Sequence, residues 1–253
     1  MRFFDSHAHY DDSAFDADRD ALLTALPGTG VAGVANMGCD VASSRIAVEL
    51  AAKYPYIYAA VGLHPGNAAQ YTEELLAEIA ALAKSPRVVA IGEIGLDYHW
   101  PEPDRDLQRA QFRALLALAD EMNLPVCVHD RDAHGDTMDI LAEFPRVHGV
   151  LHCFAGSVEM AQELVRRGWY IGFTGSVSFK NSKRAKRVAA AIDLDHILIE
   201  TDCPYMAPEP LRGQRCDSSM LVHTSAAIAE VRGMEHEVLA EAVYANTLRF
   251  YGL

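Results

Sequence analysis

Two histidines stand one residue apart in Asp5-Ser6-His7-Ala8-His9, straight after an apolar start. Side chains alternate along a strand with a period of two, so both imidazoles point the same way and can reach one cation. Further groups of this kind follow short apolar runs elsewhere. Glu93 follows Val88-Val89-Ala90-Ile91-Gly92, His129 follows Val126-Cys127-Val128, and His152 follows Gly149-Val150-Leu151. Asp202 follows Ile197-Leu198-Ile199-Glu200-Thr201. A carboxylate at the end of an apolar run is expensive to bury alone, and the glycines flanking Glu93 fit backbone crowded against a ligand. Neutral imidazoles and carboxylates are ligands for Zn, Mn, Fe or Ni. His7, His9, Glu93, His129, His152 and Asp202 exceed what one tetrahedral ion needs, so two divalent cations sharing Glu93 are expected. Such a pair, about 3.5–4 Å apart, lowers the pKa of a water and steadies both attacking and leaving oxygens. The chemistry expected is hydrolysis.

Groups so far apart in sequence need a scaffold that gathers strand ends. Short apolar or β-branched runs predict strands at Arg2–Ser6, Gly33–Met37, Ile57–Gly62, Val88–Gly92, Val126–His129, Gly149–His152, Trp169–Gly172 and Ile197–Glu200. Between them lie helical periodicities, such as Ala42–Lys53 after Asp40, Glu73–Lys84 after Thr72 and Leu107–Met122 after Asp104. Met160–Arg167 after Ser157 and Ser219–Arg232 read the same way. Asp40, Thr72, Asp104 and Ser157 suit N-caps, and Gly168 and Gly233 suit left-handed C-terminal caps. Eight strands, each followed by a helical stretch, predict an α/β fold: a single (β/α)8 TIM-type barrel with the metal site at the C-terminal end of its strands. Neither GxGxxG nor GxxxxGK[ST] occurs, which counts against a dinucleotide-binding sheet or a P-loop. Residues 1–253 read as one domain.

Half of the 253 residues are apolar, enough for a core and too many for a disordered chain. A net charge of −13 argues against wrapping duplex DNA, which relies on Lys and Arg, but leaves room for a nucleic acid held in a local pocket. Five cysteines without a CxxC pair predict reduced thiols in the cytoplasm. The opening MRFFDSHAHYDD reads as neither secretory signal nor transit peptide. No apolar run approaches the ~18 residues of a membrane span, so no membrane partner is expected.

Several blocks resemble the TatD family of metal-dependent hydrolases within the amidohydrolase superfamily. They are Asp-Ser-His-Ala-His at the start, Gly62-Leu63-His64-Pro65, Gly92–Asp97, His129-Asp130-Arg131-Asp132-Ala133, His152-Cys153-Phe154-Ala155-Gly156 and Glu200-Thr201-Asp202-Cys203-Pro204-Tyr205, with Asn246 and Arg249-Phe250 near the end. The resemblance implies a first metal on His7, His9, Glu93 and Asp202 and a second on Glu93, His129 and His152. It implies Asp202 as the proton acceptor for the attacking water, and Glu200 as a group that orients Asp202 or contacts a third ion. His64 is expected to face the substrate or a carboxylate behind it, or else to pack at the barrel mouth. The family usually has Asn-Glu-Pro after the Arg in the loop following the eighth strand; here Arg215 is followed by Cys216-Asp217-Ser218, which leaves substrate preference open.

Phosphate contacts are expected from Arg131 and from the N–H groups of Gly156 and Ser157 at a helix start. The basic cluster Lys180, Lys183, Arg184, Lys186 and Arg187 reads as a solvated helix face that could steer phosphate. The leading expectation is a deoxyribonuclease, a phosphodiesterase removing nucleotides from DNA ends in a 3′→5′ exonuclease-like way, with Zn, Mg, Mn, Ni or Fe as its two divalent cations; the oligomeric state is left open, a monomer being compatible with the sequence. The alternatives are a metal-dependent amide, ester or aminoacyl ester hydrolase and a non-catalytic metal-binding scaffold.

Overall fold

A computed structural model describes all residues, 1–253. Its strands are β1 (Phe3–Ala8), β2 (Val31–Met37), β3 (Ile57–Val61), β4 (Val88–Asp97), β5 (Val126–Arg131), β6 (Gly149–Leu151), β7 (Tyr170–Phe173) and β8 (Ile197–Ile199). The helices are α1 (Arg19–Ala25), α2 (Val41–Lys53), α3 (Glu73–Leu82), α4 (Arg105–Met122), α5 (His134–Glu143), α6 (Val158–Arg166), α7 (Lys183–Ala191), α8 (Leu221–Arg232) and α9 (His236–Tyr251). One sheet holds all eight strands in chain order, and the helices alternate with them, which is the (β/α)8 order expected. The strands read as continuous apolar runs because a parallel sheet is buried on both faces.

The chain divides into two compact units, Met1–Asn36 with His152–Leu253, and Met37–Leu151. In the second unit β4 runs parallel to β3 and β5, and β5 to β6. The sequence pattern ended β4 at Gly92, but the strand continues to Asp97 and pairs Gly95 with His129 and Asp97 with Arg131. Gly95 makes this possible. Its φ is +137°, and a Cβ there would collide with the backbone oxygen of His129. Helix α4 buries Phe112, Leu115, Leu116 and Ala119 and ends in a left-handed Asn123.

Helix α2 begins with a reciprocal cap. Asp40 accepts the Ser43 N–H at 2.7 Å, and the Ser43 hydroxyl accepts the Asp40 N–H at 2.9 Å. Asp40→Ala is expected to cost about 1 kcal/mol, read as a fall of a few degrees in melting temperature.

In the first unit β1 runs parallel to β2, and β7 to β8. Asn246 on α9 donates to the carbonyls of Leu194 and Ile197 at 2.7 and 2.9 Å, so this residue of the terminal motif fixes the entry into β8. The Tyr251 hydroxyl donates to the Ser6 carbonyl at 2.7 Å and ties the last helix to β1. Gly233 closes α8 at φ +62°, and Gly168, at φ +81°, follows the Arg167 cap of α6, both left-handed as expected.

Candidate metal-binding sites

In the first unit, β1 places His7 inside the strand and His9 just beyond it, while Asp202 lies past β8. The Nε2 atoms of His7 and His9 are 3.0 Å apart. Asp202 Oδ1 is 3.3 Å from His9 Nε2 and 3.8 Å from His7 Nε2. Ligands bound at ~2.0–2.2 Å lie about 3.0–3.5 Å apart around one ion. Two imidazoles and a carboxylate at this spacing therefore fit a divalent cation. Asp202 has φ +56°, and its N–H donates to the His7 carbonyl at 2.9 Å, so backbone holds the two ligand segments together. Burial pushes the Asp202 carboxyl up. The hydrogen bond from His9 and the charges of His152, His7 and His9 outweigh it and hold the group below its ordinary range.

His152 joins this set by stacking on His7, with ring centroids 3.9 Å apart. Behind it lies Glu200, fully buried, with one carboxylate oxygen 3.7 Å from His152 Nδ1. The same oxygen accepts the Cys153 N–H at 2.5 Å, and the other accepts from Ser6 Oγ at 3.4 Å. These contacts give Glu200 an imidazole, a hydroxyl and a backbone N–H as neighbours.

Beneath the set lies Asp5, also fully buried. It accepts from the Thr201 N–H at 2.9 Å, the Thr201 hydroxyl at 2.6 Å and the Ser218 hydroxyl at 2.6 Å. Burial pushes its carboxyl up to about 7 against these hydrogen bonds. The Tyr10 hydroxyl completes the cluster by accepting the Ser218 N–H at 2.8 Å. The departure at Cys216-Asp217-Ser218 thus has a structural role: Cys216 and Ser218 have no exposed surface, and Ser218 serves Asp5. Sequence reasoning missed Asp5, although it precedes His7 by the same two-residue step that relates His7 to His9.

The second unit carries its own set. Glu93 Oε1 is 2.8 Å from His129 Nδ1 and 3.7 Å from His64 Nε2, with the His64 and His129 rings edge to face. The three atoms lie within 4.8 Å of one another, and Glu93 with His129 fits a cation, with His64 beside them. His64 Nδ1 accepts the Gly66 N–H at 3.0 Å. A neutral imidazole has one acceptor and one donor nitrogen, so Nε2 then carries the proton and faces Glu93 as a donor. Cys39 is a further neighbour; its Sγ lies 3.8 Å from Glu93 Oε2.

Asp97 was not singled out from sequence. Its Oδ2 lies 3.4 Å from His129 Nε2, and Oδ1 accepts the His99 N–H at 2.9 Å. Burial pushes this carboxyl up, but His129, the His99 N–H and the Arg131 charge hold it lower. Glu93, Gly95 and Asp97 share one strand face, which is the signal that could have found it.

Of the expected phosphate contacts, Arg131 is exposed at the end of β5. Ser157 caps α6, its hydroxyl accepting the Met160 N–H at 3.2 Å, and Gly156 is buried against Phe154 and Met160. The basic cluster lies on and before α7, where Lys180, Lys183, Arg184 and Arg187 are exposed. No helix is long and apolar enough to cross a membrane.

Comparison with known proteins bears on the whole chain. A family model described as TatD related DNase matches residues 4–252. The chain is 41% identical over 250 residues to an uncharacterized metal-dependent hydrolase, YabD, of Bacillus subtilis, covering 98% of each. It is 35% identical over 257 residues to the 3′-5′ ssDNA/RNA exonuclease TatD of Citrobacter koseri, covering 99% of each. The crystal structure of YJJV, a TatD homologue from Escherichia coli, superposes with a TM-score of 0.93 at 30% identity, over 100% of this chain and 98% of that one. A phosphotriesterase homology protein from Escherichia coli, at 16% identity and a TM-score of 0.72, shares the fold. With a match of this length, and with imidazoles and carboxylates gathered in each unit, the chain belongs to the TatD family of metal-dependent hydrolases.

Proposed function

We propose that residues 1–253 act as one cytoplasmic hydrolase domain that removes nucleotides from the 3′ ends of DNA. The observation that carries this is the convergence of His7 Nε2, His9 Nε2 and Asp202 Oδ1 within 3.8 Å of one another. The exonuclease named among the relatives supports phosphodiesters as the substrate class. One divalent cation is assigned to His7, His9 and Asp202, with His152 beside them. A second is assigned to Glu93 and His129. Bound there, such cations supply Lewis acidity and a water of lowered pKa.

The chain's own groups do the rest. Asp202, held ionised, accepts the proton released by the attacking water. His64 presents an Nε2–H donor to the carboxylate or to a phosphoryl oxygen. Glu200 orients His152 from behind, which fixes the ring for its partner. Arg131 and the N–H groups at Gly156 and Ser157 are assigned to phosphate.

The test is release of mononucleotides from single-stranded DNA labelled at its 5′ end, after removal of metal and reloading with Mg²⁺, Mn²⁺ or Zn²⁺. Progressive shortening from the 3′ end is expected, abolished by chelator and reduced at least ~100-fold in His152→Ala. Absence of shortening in both proteins, with hydrolysis of ester or amide substrates, overturns the reading.

A further inference from the structure

Beyond Asp97 the chain leaves β4 through Tyr98, His99 and Trp100. Trp100 is 58% exposed, whereas Trp169, the other of the two tryptophans, is buried. A lone exposed apolar side chain is ordinary. The way this one is mounted is not.

The Tyr98 hydroxyl donates to Asp136 at 2.5 Å and accepts from Arg109 at 3.2 Å, and the Arg105 guanidinium lies 4.4 Å over its ring. The Tyr98 N–H donates to the Arg131 carbonyl at 2.8 Å. Gln108 on α4 accepts the Asp97 N–H at 2.8 Å and donates to the Asp97 and Pro103 carbonyls at 3.0 and 2.9 Å. His99 is held by Asp97 and by Asp132, 3.2 Å from its Nδ1, and its ring stands perpendicular to that of Trp100, with centroids 4.9 Å apart. The Arg131 guanidinium is 6.0 Å from the Trp100 ring centroid. An indole kept in water is therefore fixed on a braced loop beside a guanidinium. Its root, Asp97, touches His129.

We propose that Trp100 is the platform on which a base of single-stranded nucleic acid stacks, with Arg131 placed for an adjoining phosphate. The assignment rests on the phosphodiesterase reading and adds the group that selects the substrate. An aromatic face accepts any base, so it suits an enzyme that must take successive nucleotides. Bases in a duplex are already stacked on one another, so the platform favours unpaired ends. Charge does not take over this role. Glu102, Asp104, Asp106 and Asp132 are exposed around the loop, and the chain carries −13 overall, so stacking supplies what a basic groove supplies elsewhere.

The experiment follows tryptophan emission of the metal-loaded chain on titration with oligothymidylate carrying phosphorothioate linkages, which slow its hydrolysis. The comparator is the same backbone with abasic sites. Emission falls with oligothymidylate and not with the abasic strand, and the response disappears in Trp100→Phe, where Trp169 still reports the fold. In hydrolysis assays Trp100→Ala raises KM for oligothymidylate about tenfold with kcat within about twofold, Trp100→Phe stays near the parent, and all three proteins are alike on the abasic strand. Emission unmoved by oligothymidylate, or an unchanged KM in Trp100→Ala, overturns the platform while nucleotide release still supports the phosphodiesterase. Quenching without any nucleotide release overturns the phosphodiesterase and leaves the base site standing.

Discussion

Asp202→Asn is expected to lower metal-dependent hydrolysis by roughly 10³-fold, because on the proposed reading one substitution removes both a cation ligand and the proton acceptor. The side chain keeps its size, so the 2.9 Å bond from its N–H to the His7 carbonyl survives and the fold is retained. The amide it introduces stands where the carboxylate approaches His9 Nε2 at 3.3 Å. An amide is a poor metal ligand and a negligible base. Two measurements separate the losses: metal content per chain after gel filtration, and the rise in melting temperature on adding metal to the stripped protein. Both should drop in Asp202→Asn, with circular dichroism unchanged. Full metal content together with full activity would remove Asp202 from the centre.

The second large effect is on stability. Asp5→Ala is expected to cost about 3 kcal/mol. The carboxylate accepts from the Thr201 N–H, the Thr201 hydroxyl and the Ser218 hydroxyl, all without access to water. Alanine leaves a buried backbone donor unsatisfied and opens a hole beneath His7. For a chain of this length the loss reads as a fall of about 6–12 °C in melting temperature. Asp5→Asn retains an acceptor for the Thr201 N–H, and the two hydroxyls can turn to accept from its NH₂ group, so it should recover most of that loss. Denaturant unfolding of the three metal-free proteins checks this ordering, since metal is then absent from the comparison.

The strands were legible because β-branched and apolar runs in a parallel sheet are short, continuous and separated by helical periodicity. Their ends were less so. The apolar run of β4 stops at Gly92, yet Gly95 lets the strand run on beside His129. Helices α2, α3, α4 and α6 were found through Asp40, Thr72, Asp104 and Ser157, whose side chains do cap them. Helices α1, α5, α7, α8 and α9 have no side-chain cap, and of these only α8 is delimited in the sequence, through its periodicity and Gly233. A helix held by packing leaves little local trace.

Within the candidate sites, the histidines and acids at strand ends were visible because such groups are costly there unless they bind something. Asp97 and Asp5 were not, because each works through another residue. Asp97 leans on His129, and Asp5 holds the backbone ahead of Asp202. The role of Ser218 was hidden for the same reason: nothing near it in sequence names its partner on β1.

Asp97 has one oxygen beside His129 and the other on the His99 N–H. On the proposed reading, the cation-binding imidazole and the stacking indole are thereby moored to a single anchor. Exchanging the side chain at position 100 would change the substrate grip and leave the mooring alone, whereas altering position 97 would disturb both at once.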